Sequence, residues 1–351
     1  MKPSARVDKI PPYLFAELER KIAAKREAGV DVISLGIGDP DLPSFPPVVE
    51  AAAQAVADAG THQYPSNRGR AELREAFAEF YARRFGVTLD PATEIVPAIG
   101  AKECIFNLNL AFLDPGDIAL ASDPGYPVYT GGPLIVGAES YPLPLRPENE
   151  FAPDLDAIPA DIAARAKLLF INYPNNPTGA VAPDGFFERV VEFATTYDVL
   201  VVHDASYTET TYDGYVAPSF LETPGAKEVG VEVFSLSKGY NMTGWRCAAI
   251  LGNAEAIQTY WRLKTNVDSG LFEAVDKNVL IYIHKEVELD AADLLLDHRR
   301  GERVDDEQGE QRGAERAALE RGDEDARERR ERHADRRSAA LRHLAGRRRL
   351  R

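Results

Sequence analysis

The sequence has little of what disulfide frameworks, metal sites and membrane spans require. Only two of its 351 residues are cysteine, Cys104 and Cys247, and they form neither a disulfide framework nor a thiolate metal motif. Its six histidines are scattered without ligand spacing, so we expect no metal site. No apolar run approaches the roughly 18–20 residues that cross a bilayer, and the charged N-terminus lacks the apolar block of a signal peptide. These absences predict a cytoplasmic protein without membrane contact.

Lysine is also scarce, with 11 residues in a chain whose net charge is −15. Residues 1–300 carry 26 Lys and Arg against 43 Asp and Glu, whereas residues 301–351 carry 15 arginines against 13 acidic residues. A nucleic-acid ligand needs a basic face, and the acidic body of this chain argues against one. An acidic, lysine-poor composition is also typical of adaptation to salt. Full activity in dilute buffer would refute the hypothesis of salt adaptation.

Residues 45–270 alternate between stretches with helical apolar spacing and short apolar runs bounded by turn residues. The runs that we predict as buried strands are DIALAS, AKLLFINY, DVLVVHD, EVFSLS and CAAILGN. Strands interleaved with helices favour right-handed crossovers and a mostly parallel sheet covered by helices on both faces. The predicted fold class is therefore α/β, and in such sheets ligands bind beyond the carboxyl ends of the strands.

Composition outside this alternation sets the predicted domain boundaries. We expect an N-terminal arm with part of a small domain over 1–44, a large domain over 45–270, and a linking helix with a remnant of the small domain over 271–300. Residues 301–351 contain no aromatic residue and are dominated by Arg, Glu, Asp, Ala and Gly. This composition predicts either a charged, disordered extension or a reading frame that shifts near residues 285–300. Resequencing the gene distinguishes the two.

Polar side chains follow the predicted strands. Asn176 follows AKLLFINY, Asp204 and Tyr207 stand at and after the end of DVLVVHD, and Lys238 follows EVFSLS. Each of them alone is explained by a turn or a helix cap. Together they match one chemistry, because a lysine at a strand end in a low-dielectric cleft can lose its proton and attack an aldehyde.

Pyridoxal phosphate is the usual aldehyde for such a lysine, and an acidic residue then pairs with its pyridinium nitrogen. Asp204 suits that pairing, and Tyr126 is placed to stack on a planar ring. Asn176 and Tyr207 can donate to the ring hydroxyl. The phosphate needs helix N-terminal amides, hydroxyls and cations. Those groups are available at Ala101, Lys102, Ser235, Ser237 and Arg246.

Three motifs in combination resemble the fold-type I, class I/II aminotransferases over roughly residues 10–290. They are NNPTG, the D-x-x-Y of Asp204 and Tyr207, and S-x-S-K with an arginine eight residues after the lysine. Within that group the chain is most similar to the LL-diaminopimelate aminotransferases. The segments that carry this closer similarity are YLFAELERK, LGIGDPD, DPGYPVY, INYPNNPTGAV, SLSKGYNMTGWR and TNVDSGLF.

The resemblance implies a pyridoxal 5'-phosphate enzyme in which Lys238 forms the Schiff base and shuttles the proton. It also implies a homodimer, because Tyr64 matches a tyrosine that reaches the phosphate of the neighbouring subunit. The positions that match substrate contacts are Tyr13, Gly38 and Asn266. Asp204, Asn176 and Tyr207 take the ring-holding roles, and the phosphate set keeps the members given above.

The same resemblance implies a small α+β domain whose arginine clamps the substrate α-carboxylate through a bidentate pair. No arginine after about residue 285 stands in an alternating apolar pattern, so the small domain is predicted to be incomplete and no position is assigned to that arginine. The expected function is amino transfer between an amino acid and a 2-oxo acid in amino-acid biosynthesis, with LL-diaminopimelate and 2-oxoglutarate as the implied pair. The alternatives are a β-lyase, a racemase or a cyclopropane-carboxylate synthase relative with the same cofactor, or a non-catalytic binding or regulatory protein.

Overall fold

The computed structural model of the chain describes residues 2–10 and 14–277. Tyr13 and the segments predicted beyond residue 277, including the charged tail over 301–351, lie outside the described residues. The domain boundaries and the frame shift therefore stay predictions.

Helices and strands alternate through most of the described chain. The helices are α1 (Leu14–Glu27), α2 (Pro46–Ala57), α3 (Ala71–Phe85), α4 (Ala101–Phe112), α5 (Val128–Val136), α6 (Ala160–Ala163), α7 (Phe186–Tyr197), α8 (Ala226–Val229), α9 (Leu236–Gly239) and α10 (Ala254–Lys264). The strands are β1 (Ile95–Ala98), β2 (Ile118–Asp123), β3 (Glu139–Pro144), β4 (Ala166–Ile171), β5 (Leu200–Asp204), β6 (Gly230–Ser235) and β7 (Ala248–Gly252). No helix in this part of the chain combines the length and the apolar character that crossing a bilayer would take.

The seven strands form one sheet in the order β1-β7-β6-β5-β4-β2-β3. Strand β7 is antiparallel to both of its neighbours, β1 and β6, and the remaining pairs are parallel. Strands β1, β6, β5, β4 and β2 therefore end at the same edge of the sheet, which we call the carboxyl edge. The predicted mostly parallel sheet is confirmed, and its carboxyl edge is where ligands bind in folds of this kind.

Each face of the sheet is buried under helices, as the continuous apolar runs of the strands predict. One core cluster includes Phe77 and Phe80 of α3 and Val190 of α7. The other includes Leu108 of α4 and Ile257 of α10. The two clusters fix the strand ends from both sides, so residues at the carboxyl edge stand on a rigid frame.

The two strands that sequence reasoning missed, β1 and β3, are the two edge strands of the sheet. Both contain proline, Pro97 in β1 and Pro142 and Pro144 in β3. Proline lacks the N–H that a central ladder needs, which weakens the strand pattern but is tolerated at a sheet edge.

Some boundaries were also wrong. AKLLFINY was predicted as strand to Tyr173, but β4 ends at Ile171. EVFSLS was predicted as strand to its end, but β6 stops at Ser235, whose hydroxyl caps α9 by accepting from the Ser237 N–H at 3.2 Å.

Asp276 is a fully buried carboxylate that is poorly compensated. Its Oδ2 accepts a hydrogen bond from the Arg70 N–H at 3.1 Å, and its Oδ1 has no partner among the described residues. Burial raises the pKa of Asp276 to about 6, although that hydrogen bond and the Arg70 charge act in the opposite direction. Because the folded chain binds this proton more tightly than the unfolded chain, folding stability falls as pH rises from about 4 to about 6.

We therefore expect Asp276→Asn to raise the free energy of unfolding by about 1–3 kcal/mol at pH 7, where the wild-type carboxylate is charged. At pH 4 the carboxyl is protonated in the folded wild type, and the difference between the two proteins should nearly vanish. Urea unfolding at both pH values measures it. Equal stabilisation at pH 4 and pH 7 would contradict the titration and point to packing instead.

Candidate active site

Lys238 lies on the short helix α9, directly beyond the end of β6 at the carboxyl edge. Its side chain is about one fifth exposed, and its Nζ donates a hydrogen bond to the Gly38 carbonyl oxygen at 2.6 Å. Asp39 Oδ1 is 3.9 Å from the same Nζ. Burial lowers the pKa of Lys238, Asp39 opposes that effect, and Arg246 adds to it. Burial thus makes proton loss easier than in a free lysine, and the neutral amine is the form that attacks an aldehyde.

Asp204 ends β5 and is buried. Its Oδ2 accepts a hydrogen bond from the Tyr129 hydroxyl at 2.8 Å, and its Oδ1 accepts from the N–H and the hydroxyl of Ser206 at 3.1 and 2.5 Å. The Tyr129 ring stacks on Phe170 with 5.4 Å between ring centroids. Burial and the neighbouring Asp204 charge raise the pKa of Tyr129. The phenol therefore stays protonated as a donor, and the carboxylate is fixed in one orientation.

The turn that follows β4 is tied to Asp204 through Asn172. The Asn172 side chain donates to the Asp204 carbonyl oxygen at 2.7 Å and accepts from the Asn176 N–H at 2.6 Å. Asn175 closes the same turn, because its Oδ1 accepts from both the N–H and the hydroxyl of Thr178. These bonds set Asn176 relative to Asp204, as a ring held by both residues would require.

The N-terminus of α4 lies against the guanidinium of Arg246. Gly100 is the N-cap residue of this helix, with a left-handed φ of +86°, and a Cβ there would collide with Arg246 Nη2. Only glycine permits both that backbone angle and that approach. Arg246 Nη1 also donates to the Thr243 carbonyl oxygen at 2.8 Å. A helix N-terminus beside a guanidinium is suited to bind an anion such as a phosphate.

Aromatic residues connect the anion-binding end to the carboxylate. Lys102 Nζ lies 6.0 Å from the centroid of the Tyr126 ring, which is 5.9 Å from the centroid of Tyr129. Tyr129 in turn donates a hydrogen bond to Asp204. Burial raises the pKa of Tyr207, and the Asp204 charge raises it further. Lys102, Tyr126, Tyr129, Asp204 and Tyr207 therefore form one contiguous set.

Not every predicted site residue joins this set. Tyr64 is 89% exposed, and the Asn266 side chain donates to the Arg262 carbonyl oxygen at 3.0 Å, at the end of α10. A cavity of about 830 Å³ lies elsewhere, between segments 150–151, 181–188 and 215–224, and none of the predicted residues lines it. Among the residues that the structure describes, no cluster of His, Cys, Asp and Glu has the arrangement of a metal site.

Sequence reasoning missed Tyr129 and Asn172 as parts of the site. Both stood inside segments that carried the resemblance, Tyr129 three residues after Tyr126 in DPGYPVY and Asn172 just before the NNPTG turn. Tyr129 lies in helix α5, and Asn172, which directly follows β4, stood inside the longer predicted strand AKLLFINY. Their roles depend on contacts with Asp204, which is 75 and 32 residues away in the chain.

Replacing Tyr129 with phenylalanine should keep the stacked ring and remove only the hydrogen bond to Asp204. We expect the rate of the reaction that Asp204 supports to fall by roughly 10- to 150-fold, because hydrogen bonds to charged groups contribute about 1.5–3 kcal/mol. Steady-state kcat with a thermal melt measures it. Tyr173→Phe is the matched control, since that buried phenol donates to the Phe151 carbonyl oxygen instead. Equal losses in the two variants would show that the effect is only structural.

The comparisons with known proteins agree with this geometry. The family model described as aminotransferase class I and II matches residues 30–276. An LL-diaminopimelate aminotransferase of Moorella thermoacetica is 56% identical over 275 residues, which cover 78% of this chain and 70% of that protein. Substrate-bound BacF of Bacillus subtilis has a TM-score of 0.80 at 37% identity, covering 87% of this chain and 76% of that one. A Thermus thermophilus aspartate aminotransferase mutant has a TM-score of 0.75 at 31% identity, covering 81% and 73%.

Proposed function

The chain belongs to the class I and II aminotransferases, and from this premise we propose that it transfers an amino group from LL-diaminopimelate to 2-oxoglutarate with pyridoxal 5'-phosphate as cofactor. The observation that carries the proposal is that two groups stand at the ends of adjacent strands. A half-buried lysine lies beyond β6, and a buried, hydrogen-bonded aspartate ends β5. The donor is taken from relatives named LL-diaminopimelate aminotransferase, which are 47–56% identical to this chain. Those relatives are aminotransferases, so the β-lyase, racemase and non-catalytic alternatives are not favoured.

The residues present fit pyridoxal phosphate in their charge and in their hydrogen-bonding groups. Glycine at position 100 leaves the α4 N-terminus and Arg246 open to one anion, and Ala101, Lys102, Ser235 and Ser237 would complete a phosphate site. Asp204 would pair with the ring nitrogen, Asn176 and Tyr207 would hold the ring hydroxyl, and Tyr126 would stack on the ring. When bound, the cofactor supplies an aldehyde for the amine and an electron sink for the substrate carbanion.

Lys238 has two tasks in this proposal, and its surroundings support both. With its pKa lowered by burial, Nζ is available as the nucleophile that holds the cofactor. Once free of the cofactor, the same Nζ would be a base that takes the proton from the substrate Cα and delivers it to the carbon on the other side of the amino nitrogen. The carbonyl oxygen of Gly38, 2.6 Å from Nζ, orients the amine before the reaction begins.

The reaction also needs a charged partner that stays fixed while the proton moves. The buried Asp204 carboxylate, with Tyr129 and Ser206 as donors, meets that need without having to reorganise. Exposed Tyr64 would meet the phosphate of a second copy in a homodimer, and Asn266 and Tyr13 would contact substrate.

Two measurements on the purified chain test separate parts of the proposal. Incubation with pyridoxal 5'-phosphate, followed by gel filtration, should leave a visible absorbance on the protein, and a colourless protein would overturn the cofactor assignment. Amino donors are then tested with 2-oxoglutarate by glutamate formation, using LL-diaminopimelate, alanine, aspartate and tyrosine. Glutamate from LL-diaminopimelate at the highest kcat/KM is expected, and preference for another donor would overturn the substrate assignment alone.

A further inference from the structure

Two segments that carry predicted site residues meet at one buried cation, Lys264. They are the start of α4 and the loop over residues 265–270, and that loop in turn lies against the turn over residues 64–66. Lys264 is 1% exposed, and its Nζ lies 2.6 Å from Asp268 Oδ2 and 3.6 Å from Glu103 Oε2. We refer to Lys264, Glu103 and Asp268 as the cation hub.

Glu103 links the hub to the N-terminal turn of α4. Its Oε2 accepts a hydrogen bond from the Ile99 N–H at 3.2 Å, one residue before Gly100. The Tyr260 hydroxyl donates to the same carboxylate at 2.9 and 3.1 Å, and the Asn107 side chain also donates to it. Burial raises the pKa of Glu103, and the Lys264 charge is the main opposing influence. The lysine therefore sustains the charge on the carboxylate that holds this turn.

Asp268 links the hub to the Tyr64 turn. Its Oδ1 accepts from the Gly270 N–H at 2.7 Å, which fixes the loop that begins at Asn266. Gly270 has a left-handed φ of +100°, and a Cβ at this residue would lie 3.1 Å from both the Pro65 ring and the Ser66 carbonyl oxygen. The loop is therefore seated closely on the turn that follows the exposed Tyr64.

We propose that Lys264 is a positioning residue for the phosphate-binding end of the site. It fixes Glu103, and through Glu103 the Ile99–Gly100 turn from which the α4 amides, Lys102 and the Arg246 contact are presented to a phosphate. Through Asp268 it also fixes the loop beside Tyr64. The proposal rests on the function proposed above, and it adds a residue that touches neither the cofactor nor the substrate.

The physical reason is the cost of leaving buried carboxylates without their cation. A buried ion pair is weak evidence for stability, but removing one partner leaves an uncompensated charge that must move or take up a proton. When Lys264 is removed, the carboxylates of Glu103 and Asp268 repel each other in a poorly solvated environment. Rearrangement of Glu103 would release the Ile99 N–H and disturb the helix N-terminus. Asp204 and Asn176 stand beyond other strands, and Tyr129 lies in α5, so all three keep their own contacts.

The test compares two ligands that differ only in the phosphate, pyridoxal 5'-phosphate and pyridoxal. Their dissociation constants are measured by absorbance titration on wild type, Lys264→Met and Lys227→Met. Lys227 is the matched control, because its Nζ pairs with Glu94 at 3.0 Å just before β1, away from the α4 turn. For Lys264→Met we expect the Kd of pyridoxal 5'-phosphate to rise by roughly 3- to 30-fold. The Kd of pyridoxal should stay within about twofold for both variants, a level that lies below the range of such network effects.

The outcomes separate this inference from the function on which it rests. A wild-type protein that binds neither ligand overturns the proposed function, and with it the inference. A wild type that binds both, with Lys264→Met unchanged or weakened equally for the two ligands, overturns the positioning role alone. Should Lys264→Met not fold, Glu103→Gln is measured instead, since it removes the charge that holds the Ile99 N–H and keeps an acceptor there. A rise in the Kd of pyridoxal 5'-phosphate without a matching rise in the Kd of pyridoxal supports the proposal. Equal rises, or none, refute it.

Discussion

Lys238→Ala should lose the visible absorbance of the cofactor-bound protein and reduce amino transfer by at least about 10³-fold, since one side chain supplies both attachment and proton transfer. Among the residues that the structure describes, the groups beside Nζ cannot take its place. The carbonyl of Gly38 accepts from Nζ but cannot act as an amine, and Asp39 is 3.9 Å away with an acidic side chain. Absorbance spectra and single-turnover rates with a saturating amino donor measure the two losses.

Two controls make the result specific to the amine. Lys167→Ala removes an exposed lysine of β4 and should leave both readouts unchanged. Added methylamine should restore part of the proton-transfer rate in Lys238→Ala, because a small amine can occupy the space left by the side chain and act as the base. Unchanged absorbance in Lys238→Ala would mean that the cofactor is attached elsewhere or not covalently.

The second large effect is expected for Asp204→Asn, which preserves the shape of the side chain and removes its charge. Without a carboxylate the cofactor ring nitrogen would lose its proton, and we expect kcat to fall by about 10²- to 10³-fold, as when a fixed electrostatic partner is removed. Lysine attachment does not depend on Asp204, so the visible absorbance should remain. The Asn amide would also face the Tyr129 or Ser206 donors, which adds to the loss.

Asp198→Asn is the matched control at the other end of the same segment. Asp198 lies two residues before β5 in the left-handed region, with φ of +56°, a conformation that asparagine also adopts readily. Its kcat should match that of the wild type. An Asp204→Asn enzyme that retained more than about half of the wild-type kcat would refute the pairing with the ring nitrogen, because such partners usually contribute far more.

The sequence was sufficient to predict the parallel sheet and the residues that directly follow its central strands. Lys238, Asp204 and Asn176 could be found because a strand end is a local pattern and parallel strands share a carboxyl edge. The hydrogen bond of Tyr129 to Asp204 and the Lys264–Glu103 contact could not, since those partners are distant in the chain, and the i,i+4 spacing of Lys264 and Asp268 does not by itself indicate a buried cluster. The edge strands β1 and β3 were missed because proline weakens their pattern where the sheet tolerates it.

Other predictions depend on atoms beyond the described residues. The role of Tyr64 needs a second copy of the chain, to which its exposed side chain is available, and the role of Asn266 needs a bound substrate. The arginine for the substrate α-carboxylate has no assigned position, and the frame-shift hypothesis for the tail stays a prediction. Cofactor absorbance and amino transfer therefore answer different questions, since a chain with an altered tail can hold the cofactor and still turn over slowly.

The reversed direction of β7 has a consequence for how lysine and arginine arrive at one place. Since β7 is antiparallel to β6, it starts at the carboxyl edge, and Arg246, two residues before it, stays beside the end of β6. A parallel strand there would have started about 16 Å away, at the far side of the sheet. The short connection between β6 and β7 thus contains both Lys238, the proposed attachment point, and Arg246, a proposed phosphate contact. The eight-residue spacing between Lys238 and Arg246 therefore sets the distance between the two groups that would hold the cofactor. Inserting a single residue between them should move the guanidinium away from its place relative to the lysine amine.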